Sequence, residues 1–189
     1  MKDDLDLGES AECAVCTAIR ARGGREQNFI VTPLDGGGWQ AWNAALLRLF
    51  QRIGSEPTRA LILSQPLLND RYAQVLVGHG IAHPECSSNV YLIGASMLSD
   101  EQHELLDMLG WTAPASDVDD PGELPSNWTL PHVRGDWAYL VDMLMATAIG
   151  VFGFQENLPV ELRSFHAENP CARCSWGDPL DPAHDTQAS

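Results

Sequence analysis

From Trp39 to Ile53 the large apolar residues recur at intervals of three and four: Trp39, Trp42, Leu46, Leu49, Phe50 and Ile53. That spacing predicts an amphipathic helix with one buried face. Asp35-Gly36-Gly37-Gly38 supplies a turn before it, and Gly54 is expected to stop it. The pattern then shortens. Arg59–Ser64, Tyr72–Val77 and Cys86–Ile93 read as strands, with a turn at Asn69-Asp70 and another at Gly78-His79-Gly80. Strands that follow one another so closely are expected to pair antiparallel. Ser99-Asp100-Glu101-Gln102 is a capping-box pattern; it opens a helix that carries Leu105, Leu106, Met108 and Leu109 and stops at Gly110. Residues 113–135 hold four prolines and several aspartates and read as an irregular connection. Asp136 is a cap for a last helix, Trp137 to about Phe152, which is apolar on nearly all sides. Such a helix is either central in a core or faces a partner. The layout is an α+β fold, an antiparallel sheet of at least three strands packed by helices. Trp111, Trp128 and Trp137, at helix or loop ends, are expected to bury against that sheet.

Composition narrows the classes. In 189 residues, 26 Asp and Glu stand against 11 Lys and Arg, a net charge of −15. A surface of that sign repels phosphate backbones and anionic lipid, so neither nucleic acid nor membrane is expected as a partner. No stretch approaches the roughly 20 apolar residues of a spanning helix. Met1-Lys2-Asp3-Asp4 opens no apolar signal segment, so the expected location is cytoplasmic. Residues 1–34 read as an N-terminal extension, 35–155 as the folded domain, and 156–189 as a C-terminal extension with a polar tail.

Some of these residues carry a resemblance. Arg71-Tyr72-Ala73-Gln74-Val75, Cys86-Ser87-Ser88-Asn89-Val90-Tyr91-Leu92, Leu98-Ser99-Asp100-Glu101-Gln102, Leu109-Gly110-Trp111 with Pro114, and Ser126-Asn127-Trp128 stand in that order. Over about residues 35–155 this resembles the actinobacterial TY-Chap domain, a group similar to the type III secretion chaperones and the YbjN-like proteins. The resemblance implies a secretion-chaperone-like domain that binds protein segments, often as a homodimer, without enzymatic activity. It also implies a link to secretion or to an effector partner. None of its motifs is a catalytic signature.

The candidate chemistry lies mostly outside that region. Cys13-Ala14-Val15-Cys16 and Cys171-Ala172-Arg173-Cys174 are two identical C-x-x-C spacings. In a reducing compartment two such pairs suit a closed tetrahedral zinc site, here a structural one joining the two extensions. His166 or His184 is an alternative ligand for one position; a redox pair, a cluster or unrelated thiols are the competing readings. Cys86 with His83 and His79 is a conceivable Cys–His nucleophile, set against the commoner use of a lone cysteine as packing. His79 and His83 have the spacing of a helical metal pair, but Gly78, Gly80 and Pro84 forbid the helix. Gly36-Gly37-Gly38 lacks the rest of a phosphate loop. Asp117, Asp119, Asp120 and Glu123 lack calcium-loop spacing, so a solvated loop is expected. The function expected is a non-catalytic protein-binding module, chaperone- or adaptor-like; the alternative is a zinc-stabilised regulatory or structural subunit of a larger assembly.

Overall fold

The computed structural model describes residues 26–55, 58–114 and 127–166. Among them are seven strands and three α-helices. The strands are β1 (Glu26–Val31), β2 (Arg59–Ser64), β3 (Tyr72–Gly78), β4 (Ile81–Cys86), β5 (Trp128–Thr129), β6 (Val133–Arg134) and β7 (Val160–His166). The helices are α1 (Gly38–Ile53), α2 (Asp100–Met108) and α3 (Trp137–Ala146). All strands join one antiparallel sheet in the order β1-β7-β2-β3-β4-β5, with β6 also paired to β4.

The pleat decides which residues enter the core. Leu61 and Leu63, Ala73, Val75 and Val77, Ala82 and Cys86, and Val160 and Leu162 are buried, while their neighbours on the alternate face stay partly accessible. The three helices cover that buried face through Leu46, Phe50 and Ile53 of α1, Leu106 of α2, and Leu140, Val141, Leu144 and Met145 of α3. The apolar character of α3 is thus largely used inside one copy of the chain. The other sheet face carries no helix among the described residues.

The predicted α1 is present, as is α2 with its capping box: Ser99 accepts from the Gln102 amide while the Gln102 side chain accepts from the Ser99 amide. Gly110 takes the left-handed conformation expected of a helix stop (φ 87°). Asp136 caps α3 by accepting from the Tyr139 amide. Trp111 and Trp128 are buried as expected; Trp137 is half-buried and stacks on Phe50 with ring centroids 6.4 Å apart.

Two expectations are corrected. The third strand is Ile81–Cys86, and Ser87–Ile93 is irregular. His79 (φ 52°) and Gly80 (φ 81°) form a two-residue hairpin turn, so the chain re-enters the sheet at once. The run after Cys86 then leaves it, because the Ser87 and Ser88 hydroxyls accept from the amides of Tyr72 and Val90 and tie the backbone into turns. Second, the stretches expected as extensions each contribute a strand. β1 and β7 pair with each other, and β7 pairs with β2. Gly54 ends α1 as expected, but its backbone is helical rather than left-handed, with φ −62°. A Cβ there would lie 2.3 Å from Trp137 Cζ2 and 2.8 Å from the Phe50 carbonyl oxygen. Glycine is required at this position for close approach.

Candidate functional site

The four cysteines of the C-x-x-C pairs, Cys13, Cys16, Cys171 and Cys174, lie outside the described residues, as do Asp117, Asp119, Asp120, Glu123 and His184. Among the described residues no group of three or more His, Cys, Asp or Glu could hold a metal ion. The zinc expectation is decided by elemental analysis of the full chain. About one equivalent should be present and should be lost when Cys13 and Cys171 are both changed to serine, and less than about half an equivalent refutes it.

The Cys86–His83 arrangement is taken apart by the pleat. The two residues are three apart on β4, so their side chains leave opposite faces of the sheet. Cys86 is fully buried on the helix side, and burial pushes its thiol well above the ordinary range. A thiolate nucleophile is disfavoured there. His79 sits in the hairpin turn. His83 lies on the other face against His132, with ring centroids 4.0 Å apart.

Burial chiefly, then the charge of His132 and of Arg134, hold the His83 imidazole below its usual value against an opposing contribution from Glu85. The sign for stability follows. Between the lowered folded value and the unfolded value of about 6.5 the unfolded chain binds more protons, so stability falls as pH drops below about 6.5. Urea unfolding at pH 7.5 and pH 5 should show this loss, and His83→Gln should reduce the difference between the two.

The residues of the motif-rich segment serve as clamps. Arg71 donates through Nε to the Ser96 carbonyl (2.9 Å) and through a terminal nitrogen to the Met97 carbonyl (2.8 Å). Asn89 donates to the Leu98 carbonyl (2.9 Å) and accepts from the Leu98 amide (2.6 Å). Together they fasten the irregular 87–98 segment beside β3. Asn127 reaches Tyr72 and Glu85, and Gln74 donates to Glu85 (2.7 Å). These contacts order the backbone and offer no reacting pair.

Surfaces that could hold a partner lie elsewhere. The first is at the β1 edge. Phe29 and Val31 of β1, Trp42, Leu46 and Leu49 of α1, and Leu162 of β7 line an apolar groove of about 200 Å³. The α1 stripe read from sequence makes one wall: Leu46 turns into the core, while Trp42 and Leu49 remain half-buried along the groove. Phe29 is 49% and Ile30 66% exposed. The indole N–H of Trp42 is buried without a hydrogen-bond partner among the described residues. Beyond β1 no further described strand pairs, so alternate backbone N–H and C=O groups point outward. Sequence reasoning missed this site because it placed residues 26–31 in an extension.

The second surface is a concavity of about 370 Å³ on the uncovered sheet face, lined by residues including Ile62, Tyr72, Gln74, Glu161 and Arg163. No described helix is long and apolar enough to cross a membrane.

A search of curated proteins and a search of solved structures gave no match. A family model does match: TY-Chap3, described as T3SS (YopN, CesT) and YbjN peptide-binding chaperone 3, over residues 35–166. The matched segment contains every described element except β1 and the short helical turn at Pro33–Gly36 that it enters part-way. With well over half of its length matched, and with a helix-covered antiparallel sheet consistent with that description, the chain belongs to the TY-Chap3 family of peptide-binding chaperones.

Proposed function

We propose that the chain is a non-catalytic chaperone- or adaptor-like module that holds an extended segment of a protein partner along the outer edge of β1. The observation that carries this reading is the edge itself. An exposed strand with outward-facing backbone groups runs beside an apolar groove formed with α1. An added strand satisfies the backbone groups that no other described strand pairs, and alternate side chains of that strand reach the groove. Main-chain pairing supplies affinity for many sequences; the groove between Phe29, Val31 and Trp42 selects apolar residues at every second position. The clamps at Arg71 and Asn89 keep the rest of the sheet fixed while the edge engages. The family description, which couples type III secretion with peptide binding, supports a secreted or effector protein as that partner and a site of action in the cytoplasm.

Peptides selected from a displayed random library test the reading. They should carry alternating apolar residues, should slow hydrogen exchange of the β1 amides when bound, and should bind at least about tenfold more weakly to Phe29→Asp. Selected peptides that leave β1 exchange unchanged would overturn it.

A further inference from the structure

Between α2 and α3 lies a second groove, of about 510 Å³, with a character unlike the first. Leu105 of α2 and Leu109, just past its end, face Met145, Ile149 and Val151 across it. The far wall changes from α-helix to a π-turn at Thr147–Val151. That turn brings Ile149 and Gly150 outward, leaving Ile149 38% exposed, and Met108 stands one helical turn beyond Leu105 at 75% exposed. A π-turn is uncommon and is found most often at functional positions.

The groove is held open by fixed contacts. Gln102, already used in the α2 cap, also donates to the Val151 carbonyl. Trp111 donates through its indole to the Thr147 hydroxyl (2.9 Å), which donates in turn to the Met143 carbonyl (2.9 Å). These bonds tie α2 and its following residues to the π-turn.

Its charge is one-sided. Asp142 of α3 lines the groove, α2 carries Glu101 and Glu104 in the turn before Leu105, and neither helix has a lysine or arginine. We propose that this groove takes an amphipathic helix of a protein partner, its apolar stripe seated on Leu105, Leu109 and Ile149 and its lysine or arginine flank facing these carboxylates. Three observations select that occupant. The walls are helices, whose backbone groups are already paired, so an extended segment would find no ladder there. A helix brings its own backbone bonds and needs only a 3-4-spaced apolar stripe. A second copy of this chain would set carboxylates against carboxylates on molecules that each carry −15. The proposal does not rest on the reading of the β1 edge.

The test uses a fluorescent leucine–lysine amphipathic peptide of roughly 18 residues, long enough to form a helix, and the full chain. A leucine–glutamate counterpart and a lysine isomer broken by proline are the comparisons. The leucine–lysine helix should bind at least tenfold tighter than either. Leu105→Asp and Ile149→Asp should each weaken it about tenfold. Both changes make the protein more acidic, so attraction by net charge alone would strengthen binding; unchanged or tighter binding overturns the proposal. Gly150→Gln is the safeguard against misfolding. A Cβ at Gly150 meets no atom within 4 Å, so this change leaves the core intact and obstructs the groove. It should weaken binding as well, and full affinity in a folded Gly150→Gln variant also overturns the proposal.

Discussion

Changing Gln65 to leucine should cost about 3 kcal/mol of stability and lower the melting temperature by roughly 6–12 °C. Gln65 is fully buried just past β2. Its amide nitrogen donates to the carbonyls of Gln155 (2.8 Å) and Leu158 (3.0 Å), and its oxygen accepts from the Gln155 amide (2.8 Å). Leucine fills nearly the same volume and removes all three bonds. Each is worth about 1 kcal/mol net, and a backbone group left buried without a partner adds its own desolvation cost. The loss has a defined place, because residues 155–158 form the loop that launches β7, and β7 carries β1. Faster hydrogen exchange in β1 and β7 than in β3 should therefore accompany the lower melting temperature. A Gln65→Leu protein that melts within a degree of the parent would show that the loop is held by other contacts.

Gly54→Ala should destabilise by about 2 kcal/mol or more, and here the sign carries the information. At φ −62° the backbone of Gly54 is ordinary helix, so an alanine free of clashes would stabilise by about 0.4–1 kcal/mol through a less flexible unfolded chain. The added Cβ would instead meet the Trp137 ring at 2.3 Å. Relief must come from Trp137, which is stacked on Phe50 between α1 and α3. Combining Gly54→Ala with Trp137→Leu should recover part of the loss, whereas Trp137→Leu alone should be destabilising. Chemical denaturation of the two single variants and the double variant measures this coupling. A stabilised Gly54→Ala protein would contradict the close approach.

Both positions show where sequence reading reaches and where it stops. The spacing of Trp42, Leu46, Phe50 and Ile53 is a local signal, and so is the Ser99–Gln102 capping box; each states its structure within one or two turns of chain. Gly54 was legible as a helix end, but the reason for glycine is a ring 83 positions away in sequence, in α3. β4 was hidden by Pro84, a residue that argues against a central strand. In the fold Pro84 stands where the outer neighbour is broken between β5 and β6, and its carbonyl accepts from the Leu130 amide (3.1 Å). β7 was the more avoidable miss. Val160, Leu162 and Ser164 alternate with Glu161, Arg163 and Phe165, which is a strand pattern in plain view. The candidate binding edge was out of reach for a different reason. Glu26–Val31 has few neighbours in sequence to declare it a strand, and it becomes one by pairing with β7. The resemblance to chaperones indicated what kind of surface to seek, and the pleat parity of Cys86 and His83 separates that one candidate pair.

The position of β7 between β1 and β2 has a consequence for how the molecule is made. Glu161 contacts Asn28 across 133 residues of chain. As the polypeptide leaves the ribosome, β2, β3 and β4 can close their hairpins at once, since each pair is local. β1 emerges earlier than all of them, and its partner in the sheet arrives only with residues 160–166. Until then Phe29, Ile30 and Val31 wait unpaired and the flank of β2 is bare, the kind of surface that recruits neighbouring nascent chains. The last of the described strands to be synthesised works as a keystone: it slots between the first and the second of them, and a chain ending ahead of residue 160 would have two open seams.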